Sequence, residues 1–479
     1  MRGLLVVFIS TIVCLSNTFS QLPNDIKKIF EASAFEYATA SLCVKELSGK
    51  TVYSFQSDKK LIPASSLKLI TNLYALSKFG SQYTFNTKVG YTGALSSDGT
   101  LTGDVIIIGS GDPTFASLRF GPENDLEEVL QRISNAVKEK ITCIDGNVVI
   151  LDYVFDGSPV VGSWPYGDIS NYYASGAWAI NFNENAYKLT FNTSGNIGSI
   201  ASVYAMDPQI PYLEVFSEVK LDGANTGDNA YVFGSPYQYR KIVRGSVPKS
   251  GSSFTIKGAV PNPPLSFAML LKQELEDDGI KVQGVDVSSE KIKKSDFNEL
   301  LNIESHDLLE IIQQANYESI NLYCESLIRL SAKMVTGTGS YDSGIEMLSN
   351  VLKSTGCNEN SFSIQDGSGL SPRNLITTES FTTFLAKYFS IIGEETIKEI
   401  IPQASVSGTV KVLLKDKSFA KNFYLKSGSM GGVLSYSGYV KSNSGKWYAI
   451  SFISNNHSKG NYKVKREAEK IFTKLYNIL

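Results

Sequence analysis

The two ends of this chain read as complementary pieces of one layer. Near the start, residues 37–47 have strand-like Ala, Thr, Leu and Val content, Ser48-Gly49-Lys50 makes a turn, and residues 51–55 supply a second strand. A short helix over 25–35, with Ile26, Ile29 and Phe30 on one face, precedes this hairpin. Near the end, strands at 422–430 and 433–440 flank Gly431-Gly432, a third strand spans 447–454, and residues 463–479 close the chain as a helix. That helix carries Ala468, Ile471, Phe472, Leu475 and Leu479 on one face. These pieces bury their apolar faces together if they join in one sheet covered by helices. Between them the texture changes. From about 85 to about 300, short strands such as Val105-Ile106-Ile107-Ile108 alternate with clusters such as Gly109-Ser110-Gly111-Asp112-Pro113. A helix at 125–138 and another opened by Pro261-Asn262-Pro263-Pro264 interrupt this β-rich block. The expected division is a split domain, 21–84 with 300–479, interrupted by a β-rich insertion, 85–299, that itself divides in two.

The charge balance excludes one large class of partner. Lys plus Arg number 45 and Asp plus Glu 47, a net charge of −2, whereas a nucleic-acid binder carries a strongly basic footprint. Only His306 and His457 are present, so a polyhistidine zinc site is nearly excluded and a Ser-His-Asp triad has two candidate bases. The first twenty residues read as a secretory signal: Arg2, an apolar stretch over 4–15, and small residues at Thr18 and Ser20 before Gln21. The apolar stretch is short for a membrane span, and no later run reaches the required length. The mature chain is therefore expected to be periplasmic or secreted, with cleavage near Ser20 and no integral membrane segment. Cys43, Cys143, Cys324 and Cys357 remain after cleavage. Four cysteines allow three pairings; with no Cys-x-x-Cys spacing, the reading is buried free thiols.

Three short elements carry chemistry. Ser65-Ser66-Leu67-Lys68 is a Ser-x-x-Lys spacing that recurs at Ser57, Ser217, Ser246, Ser288 and Ser418. Only Ser65 opens an amphipathic helix, over 64–78, preceded by Pro63 and closed by Gly80. There the i, i+3 spacing puts Lys68 on the face of Ser65, and the helix start favours negative charge on the attacking oxygen. A desolvated lysine loses its proton more readily and can act as base. Ser319-Ile320-Asn321 starts a second helix, to about Met334, after one that Asp307 and Glu310 are placed to cap as a box. Lys426-Ser427-Gly428-Ser429 lies on the strand before Gly431-Gly432. Lys426 and the Ser427 hydroxyl suit a carboxylate, and Gly428 lets a substrate approach the strand edge. Taken singly, each element also reads as ordinary structure: a capped helix, a solvated lysine, an exposed strand end.

In this order, Ser-x-x-Lys, Ser-x-Asn and Lys-(Ser/Thr)-Gly are the motif set of penicillin-binding proteins and serine β-lactamases. The chain more specifically resembles the D-alanyl-D-alanine carboxypeptidase/endopeptidase family, the class C low-molecular-mass penicillin-binding proteins. The matching segments are Pro63 with Ser65 to Thr71, Gly109-Ser110-Gly111-Asp112-Pro113-Thr114, Asp366-Gly367-Ser368-Gly369-Leu370-Ser371 and Ser407-Gly408-Thr409. The family is also similar in carrying large extra domains between its first two motifs. Ile320 stands where Asp is common, and Ser427 where Thr is; neither change removes a catalytic group.

The resemblance implies an α/β (α+β) transpeptidase-like fold, a central antiparallel sheet covered by helices with a large β-rich insertion, and 21–84 with 300–479 as the catalytic domain. It implies a serine D,D-peptidase that cleaves D-alanyl-D-alanine, and also D-alanine cross-links, in peptidoglycan stem peptides, with β-lactams as covalent inhibitors and neither metal nor organic cofactor. Ser65 would be the nucleophile, Lys68 its base, and Ser319 with Lys426 the proton relay to the leaving amine. Asn321 would bind the substrate amide. Ser427, Gly428 and Ser429 would line the peptide, with an oxyanion hole at the Ser65 and Ser429 N–H groups. Asp366 would shape its loop, Arg373 would meet a carboxylate, and Asp168 would either face a stem-peptide amine or cap a helix. Tyr172, Tyr173 and Trp178 would line a groove or pack. A β-lactamase or esterase on the same core, and a non-catalytic wall-binding protein, are the alternatives.

Overall fold

The computed structural model describes residues 22–479, so the expected signal segment lies outside the described residues. One five-stranded antiparallel sheet joins the two ends of the chain, in the order Phe423–Met430, Val433–Lys441, Trp447–Asn455, Thr39–Glu46, Thr51–Phe55. The N-terminal strand pairs with the last one from Thr39↔Asn455 to Glu46↔Tyr448. All nine residues of Trp447–Asn455 are buried, because both faces of the sheet are covered. On one face lies the helix Asn461–Ile478, which buries Ala468 together with Val464, Ile471, Phe472 and Leu475, the last four worth about 1.5–3 kcal/mol each relative to exposure. On the other face lies Thr378–Ile392, backed by Lys68–Phe79, Leu308–Tyr317, Asn321–Thr336 and Tyr341–Ser354. The fold is the expected sheet covered by helices.

Three local expectations are corrected. The first helix breaks into Asn24–Lys27 and the 3-10 turns Lys28–Glu31 and Ser33–Phe35. Its aromatic contacts override helix propensity: Phe30 stacks on Phe55 with ring centroids 4.0 Å apart. The capping box at Asp307 does not form; Asp307 makes no side-chain cap bond, and Glu310 instead pairs with His306 Nδ1 at 2.8 Å. The cysteines are free thiols, but Cys143 is only half-buried while Cys43, Cys324 and Cys357 are buried.

The middle region is more α/β than its strand clusters suggest. In its seven-stranded sheet the strand Cys143–Leu151 runs parallel to Val105–Ile108 and to Lys281–Ser288. Parallel neighbours need long crossovers, and the helices Leu126–Lys138 and Pro263–Asp277 occupy them. The outer strand Asn298–Glu304 pairs with Asn86–Tyr91, so this sheet reaches Glu304, past residue 299. Smaller sheets are built on Ala186–Asn192 and Arg240–Pro248. The region also returns to the helical core: Phe155, Val161, Trp164, Ala174 and Ala177 are buried in one cluster with Leu69, Ile70 and Leu327.

Candidate active site

The Ser65 segment is a 3-10 turn, Ala64–Leu67, feeding into Lys68–Phe79. Ala64 sits at φ 47°, the left-handed region that L-residues rarely adopt. Two glycines make room for this turn. A Cβ on Gly369, at φ +82°, would lie 2.0 Å from the Ala64 carbonyl oxygen; one on Gly428 would lie 2.4 Å from Pro63 O and 2.8 Å from Ser65 N. Gly428 is thus required where the Ser65 turn packs on the strand, a closer constraint than the expected room for a substrate. Within the turn Ser66 and Leu67 are buried and Ser65 is half-buried, facing a cleft of about 700 Å³.

Lys68 is completely buried under that cleft. Its Nζ donates to Ser65 Oγ at 3.0 Å, Asn321 Oδ1 at 2.6 Å and the Ser368 carbonyl at 2.8 Å. Three acceptors match the three protons of an ammonium. Burial pulls the Lys68 pKa below the usual lysine value, partly opposed by Cys324, Glu325 and Asp366. Lys426 is equally buried and donates to Ser319 Oγ and the Ser427 carbonyl, both at 2.9 Å. Its pKa is pushed well down, first by burial and then by the charge of Lys68. Ser319 lies at φ 61° just before the helix Asn321–Thr336. Ile320 packs against the helical core between the two polar residues. Asn321 Nδ2 donates to the Tyr173 carbonyl at 2.7 Å, tying the middle region to this centre.

The open side of the cleft is polar. Ser427 and Ser429 line it, and Ser427 Oγ donates to Thr409 Oγ1 at 2.6 Å. Asp168 is also on the wall, where its carboxylate accepts from the Tyr173 hydroxyl at 2.8 Å. Tyr173 joins the wall; Trp178 is buried, its Nε1 bonded to the Ser175 carbonyl, and Tyr172 is exposed. Arg373 is not brought to the cleft: it is exposed, and its neighbour Pro372 lines the wall instead. His306 and His457 do not line it either; His457 is buried against Asn461.

The loop after Asp366 is fixed by buried acids. The Asp366 carboxylate accepts from Gly369 N, Ser371 N, Asn374 Nδ2 and Trp164 Nε1 at 2.6–2.9 Å. Glu325, which sequence reasoning missed, accepts from Gly367 N at 3.1 Å and Ser368 N at 2.8 Å. Burial, with the charge of Asp366, pushes its carboxyl up to about 8. Its signal was present: Glu325 follows Asn321 by one helical turn, on the same face. Asp112 of the Gly-Asp-Pro-Thr segment is buried and accepts from Thr114 N and Oγ1, a turn-forming role outside the cleft.

The sheet, the helical half and this lysine-rich centre make up the fold of a penicillin-binding protein. The chain belongs to the D-Ala-D-Ala carboxypeptidase 3 (S13) family, whose model matches residues 22–475, and is a serine-type D-Ala-D-Ala carboxypeptidase of the class C low-molecular-mass type. It is 26% identical over 450 residues to the D-alanyl-D-alanine carboxypeptidase of Actinomadura sp. (strain R39), covering 92% of this chain and 82% of that one. Its fold is similar to penicillin binding protein 4 (dacB) from Haemophilus influenzae, with TM-score 0.81, 21% identity and coverage of 94% and 99%. The same Haemophilus influenzae protein complexed with a novel β-lactam gives TM-score 0.75 at 20% identity, with the same coverage.

Proposed function

We propose that the enzyme releases D-alanine from peptidoglycan stem peptides through an acyl-enzyme on Ser65, and that penicillins acylate the same oxygen. The observation that carries this reading is the buried Lys68 ammonium within 3.0 Å of Ser65 Oγ. Once Lys68 has lost its proton, it accepts the Ser65 hydroxyl proton as Oγ attacks the D-alanine carbonyl. The N–H groups of Ser65 and Ser429 stabilise the oxyanion, a contribution typically of roughly 3–4 kcal/mol for one donor. Ser319, bonded to Lys426, hands a proton to the departing amine, and water then hydrolyses the ester. Asn321 binds the acyl-side amide, Ser427 with Thr409 the terminal carboxylate, and Asp168 an amine on the stem. No step requires a metal or organic cofactor. Cross-link cleavage uses the same acyl chemistry with a longer leaving amine.

The catalytic unit is 21–84 with 300–479 and the insertion of two parts is 85–299; the single sheet made by both ends supports this split, with the strand Asn298–Glu304 carrying the inserted sheet a few residues past the second boundary. Export through residues 1–20 fits a wall substrate, and no helix among the described residues is long and apolar enough to cross a membrane. The test is D-alanine release from a pentapeptide: wild type is expected to release it and Ser65→Ala not. Equal release by both would overturn the assignment.

A further inference from the structure

Beside the catalytic cleft is a second opening of about 320 Å³, between the chain that follows Thr409 and the first turns of the helix Asn461–Ile478. Lys415, Lys417, Lys465 and Arg466 line it, together with Tyr462 and one acid, Glu469. Tyr462 and Lys465 also line the cleft that holds Ser65, so the two spaces adjoin. Lys465 is partly neutralised by Glu469, 3.8 Å away, while Glu469 also accepts from Leu414 N. Lys415, Lys417 and Arg466 are exposed and have no ion-pair partner among the described residues. Lys411, Lys421, Lys459 and Lys463 extend the exposed positive charge along the same two segments. Asp416 is the one exposed carboxylate among residues 411–417. On a chain of net charge −2, this is a local concentration of cations, and a concave wall focuses their field on the space between. The cleft is therefore electrically lopsided, with Asp168 on one wall and a basic pocket adjoining it.

We propose that this pocket is the subsite for the leaving half of a cross-linked substrate: a second stem peptide bearing free carboxylates. The inference rests on the Ser65 acyl-transfer reading. In the reaction, Ser65 Oγ bonds to the D-alanine carbonyl carbon and the amide C–N bond breaks. The second stem departs as an amine carrying the relayed proton, and water restores the serine while freeing a D-alanine carboxylate. A single terminal D-alanine ends at Ser427 and Thr409. A cross-linked leaving group continues past them, and the chain past Thr409 is the one that bears Lys415 and Lys417. Each exposed cation contributes little alone, but several in one pocket act on every carboxylate within a Debye length of about 10 Å.

The test compares kcat/KM of the enzyme on a monomeric pentapeptide, on a cross-linked dimer, and on that dimer with the leaving stem's carboxylates amidated. Variants are Arg466→Glu and the pair Lys415→Glu/Lys417→Glu; their melting temperatures are checked against wild type. Dimer cleavage is expected to fall about tenfold in the paired variant, and to fall on amidation and on raising salt from about 0.05 M to about 0.3 M, with pentapeptide hydrolysis unchanged. Wild type hydrolysing the pentapeptide while cleaving free and amidated dimers equally well, or neither of them, overturns the inference and leaves the acyl-enzyme reading intact. Because the amidation and salt comparisons use wild type, a variant that fails to fold does not decide the matter. Loss of all three activities in folded wild type would reject the acyl-enzyme reading itself.

Discussion

The floor and the walls of the cleft are built on opposite principles. On the floor, Lys68 and Lys426 are completely buried, and their acceptors are Ser65, Asn321, Ser319 and the carbonyls of Ser368 and Ser427. On the walls, Ser427, Ser429, Thr409 and Asp168 are half-buried or exposed. Burying a cation is costly and lowers its pKa; the same cation in water stays protonated. The floor is therefore where a lysine proton is lost more readily than in water, and the walls are where a substrate can be chosen. Changes to the floor should remove turnover, and changes to the walls should redistribute it.

The largest effect is expected at Ser65. Ser65→Ala should lower kcat by on the order of 10⁵-fold or more with the melting temperature near that of wild type. Lys68→Met, which keeps the buried volume but removes the base, should lower the acylation rate by on the order of 10²–10⁴-fold; stopped-flow acylation by a chromogenic β-lactam measures this. Asp366→Ala tests the support beneath the floor. It leaves the Trp164 indole N–H and two loop amides without an acceptor, so denaturant unfolding should report a loss of about 2–4 kcal/mol. Acylation should also slow, because the same loop supplies the Ser368 carbonyl to Lys68.

The pH dependence follows from the direction of the Lys68 shift. Only the neutral amine accepts the Ser65 proton, and burial lowers the pKa from 10.5. Acylation should therefore rise with pH as Lys68 loses its proton; a rate flat from about pH 6 to about pH 10 would exclude Lys68 as base. For stability the sign is the same. An unfolded chain, with its lysines at their ordinary pKa, binds more protons than the folded one between the depressed and the ordinary pKa. The buried lysines thus make stability rise with pH across that interval. The smallest effect is expected on the wall: Asp168→Asn should raise KM several-fold, by roughly 1 kcal/mol, for a peptide with a free stem amine. It should leave kcat, and the KM for an N-acetylated stem, unchanged.

Floor and walls also differ in how far the sequence foretells them. The floor is written in short spacings. Ser65 with Lys68 and Ser319 with Asn321 are local, and their placement needs only a helix start and a turn before a helix. Asp366 and its loop were also readable, since Asp-Gly-Ser-Gly-Leu-Ser is a run of turn formers. The terminal strands announced their sheet because Ser48-Gly49-Lys50 and Gly431-Gly432 punctuate runs of strand-forming residues. The walls depend on contacts between distant segments. Arg373 is exposed and Pro372 lines the wall instead, in a loop tied by the bond from Asn374 to Asp366, an outcome that no spacing encodes. The parallel strands around Cys143–Leu151 were hidden because crossover pairing leaves no local mark. Trp164 reaches Asp366 across the boundary between the middle region and the helical core, a packing decision rather than a pattern. Glu325 was legible as one turn beyond Asn321, but an isolated glutamate on a helix ordinarily faces solvent.

The most direct test of the floor is covalent. The protein is incubated with a penicillin, digested, and the modified peptide mapped by mass spectrometry. One stable adduct is expected on Ser65, formed faster as pH rises and absent in Ser65→Ala. A folded enzyme that carries its adduct on another residue, or carries none, would contradict it.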